Sequence, residues 1–228
     1  MDGYIIGTFL HGSQNYNLDT DESDVDTISI FVPSCNYAII HRPENKCHIM
    51  DDEMCAGEHC NIKDIRNWVN EILKSNPNAI EILFTDYFIC EDNFNWFKNK
   101  PLDYFYVDLD NFLATANGCA NQYLSRKNEK GLKGYHRIIY TVNRLMKYPL
   151  MSTTESPYRL SDQARSTVFY YAKLASEKDG LFDFMDGLKN EVMREYKPLL
   201  ESVKVDSVFK EKKKEEAIEY MLGLIKEV

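Results

Sequence analysis

Apolar residues recur along this chain at two different periods, and the change from one to the other divides it. Residues 4–10, YIIGTFL, are aromatic and β-branched and predict a first strand. Gly12-Ser13 ends it. Residues 25–32, VDTISIFV, alternate at first and then become apolar on both faces, which predicts a second, central strand. Residues 36–50 and 54–60 supply further short strands around a turn at Asp51-Asp52. The period then becomes helical: Ile62, Ile65, Val69, Ile72 and Leu73 share one face, with Trp68 alongside. Asn61 is the expected N-cap of that helix, with Asp64 three residues on as in a capping box, and Ser75-Asn76-Pro77 closes it. Residues 79–89, AIEILFTDYFI, suit either helix or strand.

From about residue 105 the pattern is helical throughout. Phe105, Leu109, Phe112, Leu113, Ala116, Ala120, Tyr123 and Leu124 mark one helix. Tyr135, Ile138, Ile139, Val142, Leu145 and Met146 mark another. Residues 161–180 begin at a Ser N-cap and end at Gly180, and a last helix spans about 207–227. No internal repeat and no flexible linker is visible. The expected organisation is α+β: a core with strands and helices over residues 1–100, then an all-α part over residues 101–228 packed on it.

Composition narrows the class. The chain has 228 residues, enough for a sizeable core, and contains no run of 18 apolar residues and no charged-then-apolar leader pattern. These features predict a soluble, cytoplasmic protein without membrane partners. Six cysteines (35, 47, 55, 60, 90 and 119) are too few for a disulfide scaffold of this length, so reduced thiols are expected. Cys47, His48, Cys55, His59 and Cys60 raise a zinc reading, but their spacing lacks the close C-x2-C pairs of structural sites, and half-buried thiols on strands are preferred.

The net charge of −9 is unevenly placed. Residues 1–64 hold three Lys and Arg against twelve Asp and Glu, so the rest of the chain sums to zero. Within that remainder, residues 126–147 carry seven basic residues and one acid, Glu129. An acidic segment paired with a basic one suits a metal on one side and a phosphate-bearing ligand between them; a solvated helix face is the plainer alternative. The tract at 210–216, KEKKKEE, is a solvated helix start rather than a nucleic-acid patch.

The acidic charge is densest in HGSQNYNLDTDESDVDTISIFVP, residues 11–33, with five carboxylates between Asp19 and Asp26. Such a cluster is costly unless solvated or neutralised. Asp24 and Asp26, two apart at a strand's start, present two carboxylates side by side. Mg²⁺ needs few protein carboxylates and fills its other positions with water and substrate phosphate. Upstream, Gly12 allows close backbone approach to a phosphate, and the Ser13 hydroxyl and turn N–H groups can hold its oxygens. Asn17 tolerates left-handed backbone, so NYNLDT can fold back as a compact loop.

The string GSQNYNLDTDESDVD resembles the G-S-x-x-Y-G-L-x-T-x-x-S-D-x-D signature of nucleotidyltransferases in the DNA polymerase β superfamily, in particular the phage and bacterial predicted nucleotidyltransferases that include RNA-repair-associated polymerases. Gly12, Ser13, Tyr16, Leu18, Thr20, Ser23, Asp24 and Asp26 match, and Asn17 stands where glycine is usual. NPNAIEILF, residues 76–84, is similar to the group's N-P-x-x-x-E-x-L-F segment, and KGYHRIIYTVNRL, residues 133–145, to its Lys…His…Arg-Leu segment. The resemblance implies a mixed sheet flanked by helices and a two-metal site in which three carboxylates hold Mg²⁺ (or Mn²⁺). The third is expected on a neighbouring strand: Glu58 is favoured, with Asp51 and Asp52 as alternatives. It also implies that Gly12, Ser13, Ser23, Lys133 and His136 bind the nucleotide, with Arg137 a weaker candidate. Glu81 reads equally as a buried acid or a site residue.

The expected activity is transfer of a nucleoside monophosphate from an NTP to a hydroxyl on an RNA 3′ end, a protein or a small molecule. A catalytically silent nucleotide- or protein-binding module on the same fold is the alternative from another class. A metal-dependent nuclease is disfavoured by the Gly-Ser turn. Overall acidity argues against extended nucleic-acid binding. The sequence carries no signal for an oligomeric state.

Overall fold

The computed structural model describes the chain apart from residues 1, 50–58, 87, 100, 148–155, 177, 179 and 203–206. It is α+β, and its contacts group it into two units: one of Met1–Asn15, Asp19–Asp108 and Val205–Val228, the other of Tyr16–Leu18 and Leu109–Lys204. The units are therefore not consecutive halves. Residues 205–228, grouped with the helical part in the sequence reading, belong with the sheet.

The first unit is built on a mixed sheet. Strands β1 (Gly3–His11) and β2 (Asp26–Pro33) pair antiparallel, β4 (His59–Asp64) runs parallel to β2, β3 (Asn45–Ile49) pairs antiparallel with β4, and β5 (Phe88–Cys90) antiparallel with β1. The order β3-β4-β2-β1-β5 makes β2 central, and every residue from Thr27 to Pro33 is buried, as its two-sided apolar pattern predicts. The one hydroxyl at its middle, Ser29, lies 2.7 Å from Thr8 Oγ1 on one neighbouring strand and 3.2 Å from Cys60 Sγ on the other. A polar side chain is tolerated there because its partners are buried with it.

Two local expectations are corrected. Residues 36–40 are not strand: Ser34 caps a short helix α2 (Cys35–Ile40), its hydroxyl accepting from Tyr37 N–H. Asn61 is not a cap: residues 61–64 continue β4 in register with Ile28–Phe31, and Asp64 itself caps α3 (Ile65–Ile72) by accepting from Arg66 N–H. The parallel ladder with a buried central strand outweighs a solvent-side cap. The ambiguous stretch after it divides: α4 (Pro77–Phe84) opens on the Asn76 cap and Pro77, and β5 follows.

Trp68 is fully buried against Phe94 and Phe97, at ring separations of 5.2 and 5.0 Å, and donates from Nε1 to the Ala79 carbonyl at 3.1 Å. Two short helices, α5 (Asn95–Lys98) and α6 (Pro101–Val107), complete this side. The C-terminal helix α11 (Ser207–Lys226) joins it by stacking Tyr220 on Trp96 at 4.4 Å. Tyr220 also donates to the Asn93 carbonyl at 2.6 Å, and Lys213 pairs with Asp103 at 2.9 Å.

The second unit contains α7 (Leu109–Ser125), α8 (Glu129–Lys147), α9 (Asp162–Lys173) and α10 (Leu181–Ser202). The helix expected from Phe105 to Leu124 is thus two helices with a break at Asp108, whose N–H donates to Ser75 Oγ at 2.8 Å. Helix α8 starts earlier than its apolar stripe and includes Gly131 and Gly134. A Cβ at these positions would fall 2.4 Å from the Tyr123 carbonyl and 2.3 Å from the Tyr123 ring. These glycines therefore set how closely α7 and α8 approach. No helix among the described residues is long and apolar enough to cross a membrane.

Candidate functional site

Strand β1 ends at His11 and the chain turns at once into α1, the four residues Gly12–Asn15. Gly12 has φ 72°, a left-handed conformation that glycine adopts without the steric cost of a side chain. The β1–β2 register sets His11 opposite Asp26. Gly12 consequently lies against the Asp26 carboxylate: a Cβ on it would stand 2.6 Å from Asp26 Oδ2. Two residues of the signature that are far apart in sequence are thus in contact, and the contact requires glycine.

Asp24 is exposed and precedes β2, which begins at Asp26. The loop before it is closed at Thr20 and Ser23: Ser23 Oγ accepts from Thr20 N–H at 2.9 Å, and Ser23 N–H donates to the Thr20 carbonyl at 2.9 Å. The Ser23 hydroxyl therefore shapes the loop that carries Asp24. Asp21, Glu22 and Asp24 are exposed, so solvent screens much of this cluster's charge.

Beside Asp26 on its other flank, the register places His59 of β4. Glu58, Asp51 and Asp52, the three candidates for a further carboxylate, lie outside the described residues. So does Cys55 of the zinc reading. Among the described residues no group of three or more His, Cys, Asp or Glu is gathered to hold a metal. The donors that are described, Asp24 and Asp26, are hard carboxylate oxygens. They fit a divalent cation that takes one or two carboxylates and completes its shell with water and phosphate.

The turn is anchored from behind. Glu81 on α4 is 1% exposed. His11 Nδ1 donates to Glu81 Oε1 at 3.1 Å and Asn15 Nδ2 donates to the same oxygen at 2.7 Å. Asn15 Oδ1 in turn accepts from Thr85 Oγ1 at 2.7 Å, and the Thr85 carbonyl accepts from Lys98 Nζ at 2.7 Å. Lys98 is half-buried over the Phe88 ring, 3.8 Å from its centroid, and desolvation lowers its pKa to about 8. The sequence reading left Glu81 undecided and did not single out His11 or Asn15. Their only sequence signal is position, at the two ends of the Gly-Ser turn.

The remaining candidates are in the second unit. Lys133 pairs with Glu129 one helical turn away at 2.8 Å and sits 4.6 Å from the Phe169 centroid. His136 is packed between Tyr135 and Tyr171, and burial lowers its pKa to about 4. It is neutral near pH 7, so it can meet a ligand only as a hydrogen-bonding ring. It lines an open pocket of about 340 Å³ together with Tyr140, Asn143, Ser161, Gln163 and Thr167. Arg137 lies 4.4 Å from the centroid of the Tyr16 ring and donates to Tyr123 Oη at 3.0 Å. Asn17 has φ 60°, the left-handed backbone expected where the signature has glycine, and donates from Nδ2 to the Leu160 carbonyl at 3.0 Å.

No family model matches this chain and no curated protein matches it. Among solved structures, a nucleotidyltransferase-like protein from Exiguobacterium sibiricum is similar at 14% identity, over 90% of this chain and 74% of that one, with a TM-score of 0.31. A likeness that low carries no argument about activity.

Proposed function

We propose that this chain is an Mg²⁺- or Mn²⁺-dependent nucleotidyltransferase that moves a nucleoside monophosphate from an NTP to a hydroxyl acceptor. The observation that carries the reading is the contact of Gly12 with Asp26. A left-handed glycine, with no room for a side chain, leads the Gly-Ser turn directly beneath a carboxylate at the mouth of the central strand. Backbone N–H groups that a phosphate could meet are thereby set beside an oxygen that could hold the phosphate's cation.

In this reading Asp24 and Asp26, with Glu58 as the third carboxylate, hold the metal. Gly12, Ser13 and Ser23 bind the nucleotide. A divalent cation bound there would polarise the triphosphate and make the attacking hydroxyl more acidic. The acceptor oxygen forms a bond to the α-phosphorus while the α–β phosphoanhydride bond breaks. Pyrophosphate leaves with the bonding pair, and the hydroxyl proton passes to solvent. The acceptor is a hydroxyl of an RNA 3′ end, a protein or a small molecule.

The test is transfer of label from each α-labelled NTP, with Mg²⁺ or Mn²⁺, to total RNA, tRNA, the protein itself and a cell extract. Transfer by the wild type and none by Asp24→Asn with Asp26→Asn is expected. Gly12→Ala is expected to abolish labelling too, and to cost about 1–2 kcal/mol of stability from its backbone conformation alone. No transfer to any acceptor, with NTP binding intact, would assign the chain to a silent nucleotide-binding module instead.

A further inference from the structure

We infer that Glu81 is a positioning residue for the triphosphate: it fixes both ends of the Gly12–Asn15 turn so that the turn's N–H groups and Ser13 meet phosphate in a set geometry. The inference rests on the nucleotidyl-transfer reading and adds to it a residue distant in sequence from the signature.

The geometry is specific. Glu81 lies in a stretch of α4 that is buried on every face, from Ala79 to Phe84. A carboxylate at such a place is costly to desolvate unless its hydrogen bonds are supplied, and an apolar residue would pack there at lower cost. It takes hydrogen bonds from the residue just before α1, His11, and from the one at its end, Asn15. Thr85, at the end of α4, binds the other face of the Asn15 amide. One helix thus clamps the turn at both ends, and Asn15 has both its donor and its acceptor committed. Helix α4 is itself fixed, since Asn76 caps it, Pro77 opens it and the Trp68 indole bonds to Ala79 within it. Between the clamped ends lie Gly12, Ser13 and Gln14, with Gly12 against Asp26. A turn of four residues held only by its own backbone would sample many conformations. Clamping it removes that ordering cost from nucleotide binding.

The bonds from His11 and Asn15 both end on Oε1, so a glutamine can keep these with its carbonyl oxygen while a leucine cannot. Asn15→Asp sets a second carboxylate against Glu81, and adding Glu81→Gln supplies that aspartate with an amide donor. The experiment measures equilibrium binding of Mg²⁺–ATP, –GTP, –CTP and –UTP by calorimetry, without acceptor, alongside the thermal midpoint of each variant. Expected is a loss of affinity of about ten- to hundredfold in Glu81→Leu and in Asn15→Asp. Glu81→Gln is expected to stay near wild type, and the double variant Asn15→Asp/Glu81→Gln to recover most of the loss. The affinities should follow this order even among variants of equal thermal midpoint. If the wild type binds an NTP and Glu81→Leu binds it equally well, or Glu81→Gln loses as much as Glu81→Leu, the positioning role is overturned and the transfer reading stands. If the wild type binds no NTP, the transfer reading itself is overturned and the positioning role falls with it.

Discussion

Residue by residue, burial decides which candidate groups carry charge. His136 stands in the basic stretch of α8, where the sequence suggests a cation facing phosphate. Its ring is enclosed by Tyr135 and Tyr171, and desolvation lowers its pKa to about 4 from an ordinary value near 6.5. Stability follows with a definite sign. The unfolded chain takes up a proton at this ring below about pH 6.5, whereas the folded chain takes one up only near pH 4. The stability His136 preserves is therefore complete above pH 6.5 and is lost as pH falls from there toward 4, at up to about 1.4 kcal/mol per pH unit. Urea unfolding between pH 4 and 7 measures it, and His136→Phe should flatten the slope in that window. An unchanged slope would mean the ring is hydrated. The left-handed backbone at Asn17 was legible because asparagine tolerates it, whereas Gly12 was read for close approach to a phosphate and its left-handed φ is set by the structure. That His136 is neutral was not legible, because its enclosing Tyr171 comes from a different helix.

Among the elements, the packing of α7 on α8 shows what period alone conveys. The apolar stripe of α8 marks its buried face, but the approach distance is set by two residues with no side chain at all. Gly134 has the Tyr123 ring 2.3 Å from where its Cβ would be, whereas Gly118, on α7, has nothing within 4 Å. The two helical glycines should respond to alanine with opposite signs. Gly118→Ala gains helix propensity without a clash and is expected to stabilise by about 0.5–1 kcal/mol. Gly134→Ala gains the same propensity but forces Tyr123 aside, and is expected to destabilise by about 1–3 kcal/mol less that gain. Thermal unfolding of the two variants compares them directly, and equal shifts would refute the close approach. Gly131 and Gly134 lie just ahead of the apolar stripe that marks the helix in the sequence. In a single sequence a glycine that ends a helix and one that lets another helix come near look alike. The strand at 61–64 was missed for a related reason: Asn61 and Asp64 make a plausible cap, and only β2 alongside makes them a ladder. The central strand itself was legible, since its two-sided burial is written in its own composition.

For the molecule as a whole, chain order and unit membership part company at the C-terminus. The sequence divides by period, strands then helices, and that rule assigns the last helix to the helical part. Its contacts assign it to the sheet unit through side chains that pattern analysis treats as ordinary: Tyr220 stacked on Trp96, Lys213 on Asp103, and buried Ala217, Leu224 and Ile225. This division is open to a clean optical test, because the chain has two tryptophans, Trp68 and Trp96, and both lie in the sheet unit. Tryptophan emission therefore reports on that unit alone. Removing residues 205–228 uncovers Trp96 and the apolar surface under α11, which at about 25 cal/mol per Å² of apolar area is a loss of several kcal/mol. The expected result is red-shifted emission at rest and a lower urea midpoint by fluorescence. The milder variant Tyr220→Ala should move both in the same direction by less. A truncated chain with unchanged emission and midpoint would show that α11 belongs elsewhere, and that the linear division suggested by the sequence was the right one.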